Sequence, residues 1–522
     1  ERFTTTRLME SYNLQIFIVI WTVAFVLTRL GLSKMFKLGG INPLLAWIPI
    51  ANWWFWIKLV GRPKWYMAGM VIPGLNILFS FNIKLDLLRS FGKHSLGQQF
   101  AGIVLTFAYF PYLFFDKKLA YAGQGGNKEW RKKNVPKNSG MREWGDAILF
   151  AAYVAGGMRA LYFDLYQIPT PSMESNLMVG DYLVVSRTNI GMRIPLTPVS
   201  VPVLAPKEIA GMKAYSELVE FPYMRLPGWY KIKNNDVIVF NWPADDGFPV
   251  DKKDNYVKRC VGVPGDSLQL KGGDIYINNQ KLPAIGKQQK RYLIMMNEYI
   301  SQEFLLNHEL GDFTIPYRVA PEILRATKQQ GKMLIPYHIY TWKENVESIK
   351  NDPSVAGIFE DVIDEGYDRH LFPDTNTTTY LKHNWDLNNY GPIYLPKRGE
   401  TITLTKGNWD WLKAAINYYE ENNIVEQGGK FFLDGGSGAE IKEYTFKYGY
   451  YWMMGDNRFN SSDSRFWGYV PENHILGKPL FTFFSLKKVI GINDIGEPMI
   501  HGQTMMYETK GIRWEKIFKS IR

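Results

Sequence analysis

Cysteine is nearly missing from this chain of 522 residues: there is one, Cys260. A single thiol cannot form an intrachain disulfide, which excludes a disulfide-stapled scaffold and a zinc ribbon. Cys260 itself reads as a small core hydrophobe. Histidine is also scarce, with seven residues and no His-x-x-x-His spacing, and there is no Cys-x-x-Cys pair. Nothing gathers ligands for a metal, and no metal or other cofactor is expected. The glycine-rich pieces "KGGD" and "DGGSG" lack the Lys-Ser/Thr ending of a phosphate loop and read as hairpin turns. No internal repeat stands out. The formal net charge of +11 would suit nucleic acid, but the basic residues lie in short runs beside apolar stretches, where anionic lipid headgroups are the expected partner. Nucleic-acid binding is not expected.

What the chain has in quantity is apolar sequence, 46% of its residues. Uncharged runs cover Ser11 to Thr28, Leu38 to Ile57, Trp65 to Ile83 and Ser95 to Phe115, each near the roughly 20 residues that cross a hydrocarbon core. A weaker fifth segment, Trp144 to Phe163, is interrupted by Arg159, which near a helix end can snorkel. The first run is followed by Arg29, Lys34 and Lys37 without a small-residue cleavage site, so it reads as an anchor. The connecting segment "DKKLAYAGQGGNKEWRKKNVPKNSGMREW" carries eight basic residues against three acids, which marks it as cytoplasmic and places everything after residue 163 outside. Pro43, Pro49 and the tryptophans at 47, 53, 54 and 56 suit an interfacial or re-entrant segment better than a plain span. Four spans with the amino terminus outside, or five with it inside, give the same side for the remainder.

From Gln167 onward the pattern changes to short alternating runs, "DYLVVS", "DVIVFNW", "YVKRCVGV", "DIYIN" and "TITLT", broken by Gly, Pro and Asn turns. That is a β pattern. Residues 281 to 440 mix it with helical stretches such as "NWDWLKAAINYYEENN", where Asn408 is the expected cap and Leu412, Ala415, Ile416 and Tyr419 share one face. This part reads as an insertion into the β-domain. The tail "GIRWEKIFKSIR" is basic and amphipathic.

Three separated stretches stand out: Ser172 in "IPTPSMESNLMVGDYLVVS", Lys258 in "YVKRCVGVPGDSL", and the polar run "GDNRFNSSDSRFWGYVP" near residues 455 to 471. Singly, the first two read as a turn serine and a solvated strand lysine. The third is poor strand and poor helix material and must satisfy many polar groups locally. Together and in this order they resemble the nucleophile, lysine and closing motifs of the bacterial type I signal peptidases, membrane-bound serine/lysine peptidases that remove signal peptides from exported proteins. The resemblance spans roughly residues 144 to 280 and 450 to 485.

With the apolar runs and the mixed central stretch, it points to a multi-span α-helical membrane module followed by a mainly β extracytoplasmic catalytic domain with a large α+β insertion; the module before residue 144 and the insertion go beyond the core family pattern. The expected boundaries are 1–143 for the membrane module, 144–163 for an anchor, 164–280 with 441–490 for the catalytic domain, 281–440 for the insertion and 491–522 for the tail. The resemblance makes Ser172 the nucleophile and Lys258 the general base, with Ser461 hydrogen-bonding the amine. Asp463 and Arg465 match a supporting salt-bridge pair, and Gly455, Asp456 and Asn460 match positions that shape the adjacent loop. A serine needs a base, and a lysine is a base only when neutral; burial and a nearby cation both favour that form, and Arg259 is a candidate cation. The oxyanion donors would be the Ser172 N–H and the Thr170 hydroxyl, since Pro171 has no N–H. "DYLVVS" and Asp236 to Val239 would form the groove for an extended peptide. Expected partners are signal peptides of preproteins, the lipid bilayer of the bacterial cytoplasmic membrane and the translocation channel. A non-catalytic export scaffold, a self-cleaving Ser/Lys regulator and a pilus-type processing peptidase are the alternatives.

Overall fold

A computed structural model describes residues 2–72, 75–136, 140–197, 200, 207–209, 211–218, 220–285, 289–316, 334–360, 371–373, 383, 385–493, 496–501 and 504–521. The chain forms two compact units, Glu1–Asp164 with Met192–Leu226, and Leu165–Gly191 with Pro227–Arg522.

The first unit is helical. Helix α1 (Arg2–Leu38) contains Ile18–Leu38, which among the described residues is the one helix long and apolar enough to cross a membrane. The other apolar runs are broken. The second holds a short turn, Pro43–Ala46, and helix α2 (Ala51–Val60), separated by Ile50 in a left-handed backbone conformation. The third is divided into α3 (Tyr66–Val71) and α4 (Leu75–Ser90), with Ile72 extended ahead of Pro73 in the sequence, as a residue before proline prefers. The fourth gives α5 (Leu96–Val104) and α6 (Thr106–Phe115), bent by 115° at Leu105, which leaves helical geometry; this pair is a broken span or a re-entrant loop. Gly31 brings α1 directly onto α6, since a Cβ there would lie 2.2 Å from the Phe110 carbonyl oxygen. Around that contact Leu32, Phe36, Phe110 and Leu113 form a closed core with Trp56 and Leu88. The Trp144 to Phe163 segment is helical through Leu161 with a π-turn at Ala151–Ala155, and Arg159 pairs with Asp164 at 2.6 Å.

The second unit is built on one eight-stranded sheet: β1 (Phe163–Gln167), β2 (Asp181–Ser186), β3 (Asp236–Asn241), β4 (Asn255–Gly262), β5 (Tyr450–Met454), β6 (Val470–Pro471), β7 (Ile475–Ile490) and β8 (Tyr507–Ile512). The spatial order is β1-β2-β7-β3-β4-β5-β6, with β8 on the far part of β7. Strands from both ends of the segment therefore interleave, and β4 lies between β3 and β5. Every residue of β3 except Asp236 is buried, in keeping with its unbroken apolar run. The "KGGD" piece joins the paired strands Ser267–Lys271 and Asp274–Ile277, with Gly272 and Gly273 both at positive φ, as a two-residue hairpin turn requires. "DGGSG" likewise connects the antiparallel pair Lys430–Phe432 and Glu440–Ile441.

The 281–440 stretch contributes to two cores. Tyr292, Ile294, Phe313 and Ile339 pack with Val489 and Ile490 of β7. Trp409, Leu412, Ala415 and Ile416 share a core with Trp452 and Tyr469, and Tyr419 packs against it. The helix Lys406–Lys413 is capped by Thr405, and Asn408 is the third helical residue of a capping box, so its expected role as cap passes to the residue three before it. Thr405 Oγ1 accepts from the Asn408 N–H at 3.2 Å while Asn408 Oδ1 accepts from the Thr405 N–H at 2.8 Å, leaving the cap satisfied from both sides.

Candidate active site

Pro171–Met173 form a single 3₁₀ turn directly after β1, with Pro171 at its first position, where the missing N–H costs nothing. Met173 is buried beneath it with Ile168, Leu177 and Val239, which fixes the turn on the sheet. Ser172 is thereby 8% exposed, facing the middle of β4, where Lys258 is 4% exposed and stands opposite Ile238 of β3. Ser172 Oγ and Lys258 Nζ are 2.6 Å apart. The amine lies 5.3 Å from the centre of the Tyr256 ring, two residues earlier on the same strand. Burial lowers the Lys258 amine to about 8, against the opposing pull of the Asp463 and Asp456 carboxylates. A hydroxyl and a largely desolvated amine thus share one short contact.

The expected cation is not what perturbs that amine. Arg259 is buried and committed elsewhere: Nε and Nη2 donate to Asp456 at 2.7 and 2.8 Å, and Nη1 donates to the Asn235 carbonyl at 2.6 Å. A bidentate carboxylate offsets the guanidinium charge locally, so desolvation is left as the cause of the shift. Asp456 also accepts from Asn176 Nδ2 at 2.7 Å, joining the lysine strand, the closing loop and the segment after Ser172.

Asp463 and Arg465 form a buried ion pair with two contacts of 2.9 Å. Asp463 Oδ2 also accepts from the Gly455 N–H at 3.1 Å, which ties the loop to the end of β5. These bonds and Arg465 hold the Asp463 carboxyl below its usual value despite burial. Gly455 is where the loop crosses the Ser172 turn: a Cβ there would lie 2.5 Å from the Ser172 carbonyl oxygen and 2.2 Å from Ser461 Oγ. The Asn457 N–H donates to that Ser172 carbonyl at 3.2 Å. Thr170 Oγ1 lies 3.4 Å from Ser172 Oγ. Ser461 lines the same cavity, but its buried hydroxyl makes no hydrogen bond among the described residues, the amine being turned to Ser172. Asn460 Nδ2 donates to Asp312 Oδ2 at 2.9 Å, a partner from within the 281–440 stretch.

The cavity in front of Ser172 and Lys258 has a volume of about 700 Å³. Its walls are Tyr166–Met173, Asn255–Lys258 and the closing loop, with Asp312, Thr314 and Tyr340 from the insertion. "DYLVVS" and Asp236 to Val239, expected as the groove, do not line it. Both are interior strands of the sheet: β2 lies between β1 and β7, and β3 between β7 and β4, although β7 pairs with β3 only at Val239 and Phe240. The first half of β4 has a free edge. β5 pairs with β4 only at Arg259, Cys260 and Gly262, while β3 covers the other side from Asn255 to Cys260. Two residues next to the motifs, Glu174 and Asp312, were not singled out from the sequence. Glu174 could have been noticed as an acid inside an apolar turn; Asp312 carries no local signal.

A β-sheet that sets a buried serine against a buried lysine is the arrangement of a serine hydrolase class, and comparison with known proteins says which. The profile of the family described as signal peptidase, peptidase S26, matches residues 141–322 and 417–484. A second profile, a family of unknown function (DUF5684), matches residues 44–124. The signal peptidase I of Haemophilus influenzae is 47% identical over 351 residues, covering 63% of this chain and 66% of that protein. The signal peptidase I of Buchnera aphidicola is 24% identical over 335 residues, 63% of this chain and 71% of that protein. That of Helicobacter pylori is 30% identical over 169 residues, 31% of this chain and 51% of that protein. The chain belongs to the signal peptidase family, peptidase S26.

Proposed function

We propose that the chain removes signal peptides from exported preproteins at the outer face of the bacterial cytoplasmic membrane, using Ser172 as nucleophile and Lys258 as general base. The observation that carries this reading is the 2.6 Å contact between two buried groups, one of them an amine lowered to about 8. A preprotein segment lies along the unpaired edge of Asn255–Lys258 and bonds to it through its backbone. Ser172 Oγ attacks the scissile carbonyl carbon while the neutral amine takes the hydroxyl proton. The negative charge that develops on the carbonyl oxygen is met by the Ser172 N–H and the Thr170 hydroxyl. Lys258 then gives its proton to the leaving nitrogen, the C–N bond breaks, and the signal peptide remains as an ester on Ser172. Water attacks the ester with its proton passing to Lys258, and the serine hydroxyl is restored.

In this reading Asp463, Arg465, Gly455, Asp456 and Asn460 hold the loop that presents Ser461 to the site. Residues 1–143 with the anchor 144–163 make four or five passes and keep the catalytic sheet against the bilayer; helix Ile18–Leu38 supports a membrane location. The insertion offers a surface to the translocation channel, and the basic tail packs on the catalytic domain, where Tyr507–Ile512 pairs with β7 and Lys516 reaches Asp181. The test is incubation of the full chain, purified in detergent or lipid, with an exported preprotein, followed by mass spectrometry of the products. A single cut behind the signal segment, lost in Ser172→Ala, is expected; no cut with the wild-type chain would sink the reading.

A further inference from the structure

Two adjacent residues of the inserted stretch, Gly311 and Asp312, touch the nucleophile segment on one side and the closing loop on the other. The nucleophile turn ends at Glu174, whose N–H donates to the Pro171 carbonyl at 2.9 Å. The Glu174 side chain turns inward, 1% exposed, and its carboxyl lies on the backbone of Gly311, where a Cβ would stand 1.5 Å from Oε1. No residue with a side chain fits at 311 while Glu174 stays in place. Asp312, 3% exposed, uses Oδ1 to accept from the Phe313 N–H at 2.7 Å and Oδ2 to accept from Asn460 Nδ2 at 2.9 Å. Asn460 directly precedes Ser461. Burial and the neighbouring Asp312 carboxylate push the Glu174 carboxyl up to about 8, and burial raises Asp312 to about 6. At neutral pH the pair therefore carries mainly one charge, the one that Asn460 and the Phe313 N–H receive.

We infer that Gly311 and Asp312 are positioning residues, a brace through which the inserted segment sets the distance between the nucleophile turn and the closing loop. The insertion then acts on the chemical step, beyond any docking role. A segment attached only by its outer surface would leave kcat alone. A brace displaced by an ångström alters a contact that must be short in the transition state. The inference rests on the peptidase reading.

The experiment compares kcat and KM of the full chain on a peptide spanning a signal cleavage site, well below each variant's melting temperature, for Asp312→Ala, Asp312→Asn, Gly311→Ala, Glu174→Ala and the Gly311→Ala/Glu174→Ala pair. Loss of a hydrogen bond to a charged group lowers kcat about tenfold to a hundredfold in Asp312→Ala, with KM within about twofold. Asp312→Asn keeps an acceptor for Asn460 and recovers most of the rate. Gly311→Ala is impaired in the wild-type background and nearly silent once Glu174 is shortened, because its Cβ then has room. Variants that lose melting temperature but keep wild-type kcat would overturn the brace while leaving the peptidase reading intact. So would a defect confined to KM, or a Gly311→Ala effect unchanged by Glu174→Ala. A wild-type chain that does not cut the peptide would remove both.

Discussion

Lys258 and Arg259 are successive residues of one strand, both buried, and the two faces of β4 treat their charge in opposite ways. The Arg259 face supplies a bidentate carboxylate and a carbonyl, so the cation is kept and becomes a joint between β4, the closing loop and the segment after Ser172. The Lys258 face supplies a hydroxyl and an aromatic ring within contact, with both carboxylates acting from a distance, so desolvation wins and the amine drops to about 8. A buried positive charge is structural where it is paired and chemical where it is left alone. Arginine suits the first role because it stays charged and fits a carboxylate in two places; lysine suits the second because it can lose its proton.

Removing the chemical face has the largest expected effect. Ser172→Ala and Lys258→Met each lower cleavage on the order of 10⁴ or more with folding retained, measured as product formed per hour against an unchanged melting temperature. Residual activity near wild type in either variant would separate the dyad from the reaction. Removing the structural face comes next. Arg259→Met leaves Asp456 buried without its partner, which costs about 3–5 kcal/mol of stability; a denaturation midpoint equal to wild type would mean that the ion pair does not hold the motifs together. Thr170→Val tests the supporting donor, and a rate loss of about 10²–10³ with unchanged KM is expected if its hydroxyl meets the oxyanion.

The smallest effect sharpens the comparison most. Below about 8 the Lys258 amine is protonated and cannot act as a base, and above it the amine is free, so kcat/KM rises with pH along one ionisation with its midpoint near 8. Each unit below that midpoint lowers the rate about tenfold. A profile that climbs to the value of an exposed lysine would show that burial does not tune the amine, and one governed near pH 6.5 would point to a histidine.

The three motifs were legible because each is a short local stretch whose residue types have few other uses. Their mutual geometry was not. Arg259 looked like a source of repulsion because its partner Asp456 is far along the chain, and nothing local says that the two meet. The groove was placed on β2 and β3 because alternating strands look alike in sequence, whereas which strand has a free edge depends on the order in which they assemble. The broken helices of the first unit follow the same rule: an uncharged run shows that a segment avoids water, but Ile50, Leu105 and the residue before Pro73 decide where it bends. Asp312 had no signal of its own, being one acid in a long insertion until the fold sets it against Asn460.

The placement of β5 carries one more consequence, for the order of events during synthesis. Ser172 and Lys258 emerge from the ribosome early, and β3 and β4 can pair at once, but the strand that completes the far side of β4 is Tyr450–Met454, followed by the loop that carries Asp456 and Asp463. Such distant pairing is slow to form because a long loop must close first. The Ser172 turn can already pack on β3 through Met173, but the loop that crosses it at Gly455 and the carboxylate that pairs with Arg259 arrive only after β5, so the surroundings of Ser172 and Lys258 are completed well after the two residues themselves have been made.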